Sequence, residues 1–316
     1  MTISIPQIKH SEMTDQDIKM VNKVLHSSHL TQGKVVHEFE EACAEYLGKT
    51  YAVAVSSGTA ALYCAYRTYD ERTFKNKQIL QIPAITFKAT LRAAQLTKNN
   101  YMVVDTEDNG INRSANVKVD LAGYVPSYRS IIEDASHAFG SNGVGNSLMT
   151  CFSLHAIKNL GVGEGGMVVT DSKEMYEGLK LMREFGTEQN PSLNFRMSEI
   201  SAALGLSRLD RVEHEMWLKE KILKRYEDEG IPLYNFISSI TYNYHLAVCK
   251  FDDPVKAAWF LRKEGIGTQR HYEPLERGHQ NAATYWASTL SIPLYPQMTK
   301  EEQDYVIKTI HEATGD

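Results

Sequence analysis

Apolar positions recur along this chain with two different periods, and the switches between them mark its elements. Over residues 13–26 and 35–47 the spacing is helical. In the second stretch Val35, Phe39, Cys43 and Tyr46–Leu47 share one face, while Glu38, Glu40, Glu41 and Glu45 occupy the other. Gly48 stops that helix. Tyr51–Val55 is a short apolar run that reads as a strand, followed by Ser56-Ser57-Gly58-Thr59 and a helical run from Ala60. Strand-like runs then recur at 78–82, 101–105, 116–121, 130–134, 149–153 and 166–170, with a helical stretch at 87–96. Short strands, almost wholly apolar and alternating with helices, predict an α/β fold whose mainly parallel sheet is covered on both faces.

After Lys173 the pattern changes to longer helices, at 173–184 and 197–229. A strand at 240–251 and a helix at 254–264 follow. A last helix at 299–313 stands behind Thr299, with Glu301 and Glu302 suited to its first turn. The change predicts a large domain over 1–215, including the N-terminal helices, and a smaller α+β domain over 216–316. There is no internal repeat and no low-complexity tract.

Composition narrows the function. The 316 residues are 42% apolar and 23% charged, ordinary for a globular protein. A net charge of −5 gives no attraction to nucleic acid or an anionic membrane. No apolar run approaches the roughly 20 residues of a membrane span. The first residues lack a basic stretch followed by an apolar one, so the expected location is the cytoplasm. Cys43, Cys64, Cys151 and Cys249 lie far apart without a C-x-x-C pair, which fits reduced thiols. His245 and Cys249 have i,i+4 spacing, but on a strand that spacing separates them, so no metal is expected.

Candidate chemistry concentrates between Ile131 and Thr170. Asp134, Ser153 and Lys158 fall within about 25 residues, each beside a short apolar run. Asp134 ends a strand, where open α/β sheets bind ligands. Lys158 stands five residues after Ser153 and just before Gly161–Gly166. Upstream, Ser56–Ala61 joins a strand to a helix, where free N–H groups and the helix dipole favour a phosphate. Singly, these features also read as an N-capped turn, a helix-capping aspartate and a solvated lysine. Together they match the needs of pyridoxal phosphate: a Schiff-base lysine, a carboxylate for the pyridinium nitrogen and a hydroxyl for the phosphate. Gly161, Gly163 and Gly166 also spell G-x-G-x-x-G, yet they precede the strand-like Met167–Thr170 rather than a helix, which argues against a nicotinamide site.

Ordered blocks through almost the whole chain resemble the DegT/DnrJ/EryC1/StrS sugar aminotransferases, which have the aspartate-aminotransferase fold (type I). The blocks include Gly33-Lys-Val-Val-His-Glu-Phe-Glu, Ser56-Ser-Gly-Thr-Ala-Ala-Leu, Pro83-Ala-Ile-Thr-Phe-Lys-Ala-Thr and Glu133-Asp-Ala-Ser-His-Ala-Phe-Gly. Phe152-Ser-Leu-His-Ala-Ile-Lys-Asn, Gly163-Glu-Gly-Gly, Asn194–Gly205, His271-Tyr-Glu-Pro-Leu and Ile292-Pro-Leu-Tyr-Pro continue the series.

The resemblance implies roles. Lys158 would carry pyridoxal phosphate and shuttle protons, Asp134 would pair with the ring nitrogen, and His137 would sit near the ring hydroxyl. Phe87 would stack on the ring. Ser57, Gly58, Thr59, Ala60 and Ser153 would hold the phosphate. Asn194 would reach the phosphate of the neighbouring subunit in a homodimer with shared active sites; its local reading is an N-cap before Met197. Arg196, Arg270, His271 and Tyr272 are candidate substrate contacts. The implied reaction moves an amino group from an amino acid, glutamate being the expected donor, through pyridoxamine phosphate to a nucleotide-linked keto sugar. Products of that kind serve cell-surface polysaccharide and related amino-sugar biosynthesis. His137 and the 152–159 block resemble the branch that acts on UDP-linked 4-keto sugars. The stretches 106–129 and 184–194 look like trimmed loops, and Asp120–Ser127 matches its family block only loosely. A dehydratase of the same family, whose members have histidine in place of Lys158, and a silent binding protein on the same fold stand as alternatives.

Overall fold

The computed structural model describes residues 4–72, 79–97, 99–234 and 245–315. In chain order the first elements are α1 (Asp15–Leu25), α2 (Lys34–Tyr46), β1 (Tyr51–Val55), α3 (Gly58–Arg72), β2 (Leu80–Pro83), α4 (Lys88–Gln95) and β3 (Tyr101–Val104). Next come β4 (Val117–Val119), β5 (Ile132–Asp134), β6 (Met149–Ser153), β7 (Gly166–Thr170) and α5 (Lys173–Arg183). A hairpin of β8 (Glu184–Gly186) and β9 (Pro191–Asn194) precedes α6 (Glu199–Leu209) and α7 (Val212–Asp228). The chain continues with β10 (Ala247–Lys250), α8 (Pro254–Lys263), α9 (Gln280–Ser288), β11 (Thr289–Ile292) and α10 (Lys300–Thr314).

The central sheet has the order β1-β7-β6-β5-β4. β7 runs antiparallel to both neighbours and the other four strands are parallel to one another. The parallel pair β2–β3 is tied to this sheet by Asn116, just before β4. Its side chain accepts from the Gln81 N–H at 2.7 Å and donates to the Ile79 carbonyl at 2.9 Å. The strands are buried on both faces, as their unbroken apolar runs predict.

Local signals explain the helix ends where the chain supplies its own cap. α1 and α10 start with capping boxes, Thr14 with Asp17 and Thr299 with Glu302. The α2 N-terminus has none. Glu199, at the start of α6, accepts from the N–H groups of Gly33, Val35 and Val36 at 2.8–3.0 Å and caps it from afar.

Several elements differ from the sequence reading. The single helix expected over 197–229 is two, broken at Asp210–Arg211. The 184–194 stretch forms the β8–β9 hairpin, and α9 and β11 carried no clear period. The strand expected over 240–251 is Ala247–Lys250 where it is described; 240–244 lies outside the described residues. α7 crosses the expected 215/216 boundary. Val212 packs in the core beneath α2 and the sheet, while Ile222, Leu223 and Tyr226 join a second core with Ile292, Leu294 and Ile310. Ile5 belongs to that second core too. Among the described residues no helix is long and apolar enough to cross a membrane, and no three His, Cys, Asp or Glu side chains are grouped to hold a metal.

Candidate active site

Because β1, β5 and β6 are parallel, the Ser57 turn, Asp134 and Ser153 emerge at one edge of the sheet. β7 runs the other way, so its first residue, Gly166, reaches the same edge opposite Val55 and Ser153. Contact there is close. A Cβ on Gly166 would lie 2.3 Å from the Ser57 carbonyl oxygen, and one on Gly58 would lie 2.7 Å from the Ser153 Cβ. Only glycine lets the turn, Ser153 and β7 meet. In front of them is a cavity of 280 Å³ lined by Ser57, Gly58, Thr59 and the start of α3, with Ser153 beside them. The Ser153 Oγ accepts the His155 N–H at 3.4 Å, leaving its own hydrogen to donate.

Lys158 lines the same cavity, on the turn after β6 that the Lys158 N–H closes onto the His155 carbonyl. Burial lowers its amine to about 8, against the opposing pull of Asp134. Asp134 is buried on the cavity floor. Its Oδ1 accepts from the Ser136 N–H at 3.2 Å and hydroxyl at 2.6 Å, and its Oδ2 accepts from Thr90 at 2.6 Å. The Thr90 proton is directed to Asp134, so Thr86 donates to the Thr90 oxygen at 2.8 Å. Neither threonine was a sequence candidate, and a contact 44 positions long leaves no local mark. Ser136 was also missed, although an aspartate two residues before a serine is a turn signal.

Across the cavity lie His137, His271 and Tyr272. His137 Nδ1 accepts the Ala122 N–H at 3.3 Å, so its proton sits on Nε2, which donates to the Tyr272 hydroxyl at 3.0 Å. Ala122 holds φ 56°, a left-handed conformation that costs an L-residue about 1 kcal/mol and aims this N–H. Burial keeps His137 well below the ordinary histidine range, with Lys158 and His271 adding to the effect. His271 falls to about 3 for the same reason, and burial lowers His245, whose ring lies 4.4 Å from that of His137, tilted by 40°. These rings are neutral at physiological pH. The Tyr272 hydroxyl, raised by burial, stays protonated and has its own hydrogen to offer.

The other candidates fall less uniformly. Phe87 lines the cavity, half exposed, with its ring 5.6 Å from that of Tyr272. Ala60 is buried and gives its N–H to the Ser57 Oγ, so it does not face the cavity. Asn194 ends β9, exposed, and its side chain accepts from Arg196. It is not a helix cap: Ser198 caps α6. Arg196 is exposed and lies 5.9 Å from the Phe185 ring; Arg270 lies 3.6 Å over Trp286 and donates to its carbonyl. Neither arginine lines the cavity.

A model of the DegT/DnrJ/EryC1/StrS aminotransferase family matches residues 11–119 and 130–311. The chain belongs to this family. The gap at 120–129 falls on the stretch whose family block is only loosely kept. The chain is 28% identical to a UDP-4-amino-4,6-dideoxy-N-acetyl-beta-L-altrosamine transaminase of Campylobacter jejuni, over 95% of each. It is 29% identical to that of Helicobacter pylori, over 93% of this chain and 94% of the other. Among solved structures, the H. pylori aminotransferase PseC, described as involved in pseudoaminic acid biosynthesis, superposes with a TM-score of 0.88. Its identity is 24%, and 99% of this chain and all of the other are covered. The PLP form of a putative sugar aminotransferase, Spr1654 of Streptococcus pneumoniae, gives 0.88 at 22% identity over 99% of each. At these identities the structures establish a shared fold.

Proposed function

We propose that this protein is a pyridoxal phosphate-dependent aminotransferase that delivers an amino group from glutamate to a nucleotide-linked keto sugar, a UDP-linked 4-keto sugar in the first instance. One observation carries the reading: Lys158, Asp134, Ser153 and the Ser57–Thr59 turn, drawn from four segments, line a single cavity of 280 Å³. The residues fit the cofactor. The Gly58 and Gly166 contacts clear a cradle that a Cβ would fill, beside the N-terminus of α3, where an anion is favoured. Asp134 supplies a carboxylate of fixed orientation for a ring nitrogen, and Phe87 an exposed aromatic face.

When bound, pyridoxal phosphate draws electrons from the carbon that must lose its proton. Lys158 Nζ, lowered to about 8, is divided between charged and neutral forms near neutral pH. It can therefore take the proton from the donor α-carbon and, in the return half, give one to the sugar carbon. Asp134 keeps the ring nitrogen cationic. Ser57, Gly58, Thr59 and Ser153 hold the phosphate, and Tyr272, oriented by His137, offers a hydrogen bond from the opposite wall.

A homodimer accompanies this reading. Asn194 is exposed on a hairpin that presents Phe185 and Leu193, 57% and 61% exposed, which suits an interface through which Asn194 reaches the partner's phosphate site. The presence of lysine at 158 favours amino transfer over dehydration. The test is an absorbance spectrum with pyridoxal phosphate, then glutamate. A band near ~420 nm that glutamate shifts towards ~330 nm supports the reading. A protein that takes up no cofactor refutes it.

A further inference from the structure

The turn that carries Lys158 is braced from behind by two buried cations, neither of which lines the reaction cavity. Arg208, on α6, donates to the Gly161 carbonyl at 2.6 Å and is paired with Asp17 of α1 at 3.7 Å. Lys219, on α7, donates to the side-chain oxygen of Asn159, the residue next to Lys158. The Asn159 amide in turn donates to the Phe139 carbonyl at 3.4 Å, just beyond His137. Within the turn, the Lys158 N–H is bonded to the His155 carbonyl and the Ala156 N–H to the Gly163 carbonyl, both at 2.8 Å. Gly161 lets it fold this tightly, since a Cβ there would lie 2.4 Å from the Ala156 carbonyl oxygen. The two cations differ in company. Among the described residues Lys219 has no carboxylate within 4.0 Å. Burial lowers its amine to about 8, and Glu215, one turn back on α7, only partly opposes this.

We propose that Lys219 is a positioning residue for the reaction, holding Lys158 at the reacting carbon through Asn159. The inference rests on the aminotransferase reading of the cavity. A buried amine without a carboxylate is costly, and an apolar side chain would fill the same space without that cost. What the amine adds is a directed hydrogen bond to the residue beside Lys158. Lys158 has to exchange protons with a different carbon in each half of the reaction, so it must return to one place each time. A long side chain returns only as accurately as its backbone is held. Asn159 is held on both sides, by Lys219 and by the Phe139 carbonyl. Because α7 enters both cores, the bond ties the Lys158 turn to the pair of them.

The test compares Lys219→Met, Asn159→Ala and the double variant, first free of cofactor and then loaded. In the cofactor-free protein each single variant is expected to speed amide hydrogen exchange over residues 155–162 about tenfold, leaving β5 and β6 unchanged. When the loaded protein is mixed with saturating glutamate, each is expected to slow the change in the cofactor band about 10- to 100-fold. Cofactor affinity should alter by less than about threefold, which separates positioning from binding. The double variant should be no slower than the slower single one, because both changes break one bond. A Lys219→Met protein of wild-type melting temperature overturns the proposal if its exchange over 155–162 or its rate with glutamate is unchanged. Single effects that multiply in the double variant overturn it too, and variants that do not fold reduce the pair to a structural brace. A wild type whose cofactor band ignores glutamate overturns instead the aminotransferase reading, and exchange over 155–162 then decides whether Lys219 holds the turn.

Discussion

The wall of the reaction cavity that carries Asp134, Ser153 and Lys158 is made of strand ends and the turns that leave them. The wall that carries Gln269, His271 and Tyr272 is a loop suspended between two cores. Gln269 exchanges backbone bonds with Ser291 at 2.7 and 3.1 Å, and His271 Nδ1 meets the Ser291 hydroxyl at 2.8 Å; further on, Leu275 is bonded to Ala84. The first wall inherits its geometry from sheet register, which cannot slip by one residue without turning every side chain over. The second depends on how the C-terminal core sits against the sheet. On the proposed reading, the first wall would hold the cofactor and the second would meet the substrate.

Substitutions on each wall put that contrast at risk. Lys158→Ala should lower turnover by at least about 10⁴-fold in steady-state assays, since among the described residues it removes the one lysine amine that lines the cavity. Asp134→Asn should retain cofactor but lose about 10²- to 10³-fold in turnover, as a fixed charge opposite the ring is neutralised. Gly58→Val drives a branched side chain into Ser153, so cofactor affinity measured by titration should fall about tenfold or more at unchanged fold.

Titration gives a smaller effect. Lys158 is neutral above about 8 and charged below it, and only the neutral amine adds to a carbonyl. Cofactor uptake by cofactor-free protein should thus rise about fivefold from pH 7 to 8 and level off above pH 9. A limb near pH 6 instead would implicate histidines that burial holds neutral. Tyr272→Phe, on the second wall, should cost only about threefold to tenfold in kcat/KM for the keto sugar, the value of one hydrogen bond. If it instead strips the protein of cofactor, the division between the walls is wrong.

What could be read in the chain tracks the distance over which each feature is decided. The strand ends at Asp134 and Ser153 and the glycines around 161–166 announce themselves locally, and Lys158 is picked out by its place among them. The caps at Thr14 and Thr299 are likewise local. Thr90, which fixes Asp134, and Glu199, which caps α2 from more than 160 residues away, leave no such trace. Arg270 and Arg196 were candidate substrate contacts; Arg270 is committed to Trp286, and Arg196 lies exposed just after β9, bridged to Val55. Asn194 could pass for a helix cap until Ser198 was seen to fill that place.

The sequence alone determined the alternation of strands and helices, the mainly parallel sheet, the glycine-lined turns and the cluster of groups that suits a pyridine ring and its phosphate. These follow from short-range preferences: apolar period, cap chemistry and the positive φ open to glycine. Tertiary structure decided which strand runs backwards to bring Gly166 beside Ser57, which loop closes the cavity with Tyr272, and how far the Lys158 amine is lowered. Those outcomes depend on burial and on contacts between segments more than 100 residues apart, such as Tyr272 with His137, where no local preference can act.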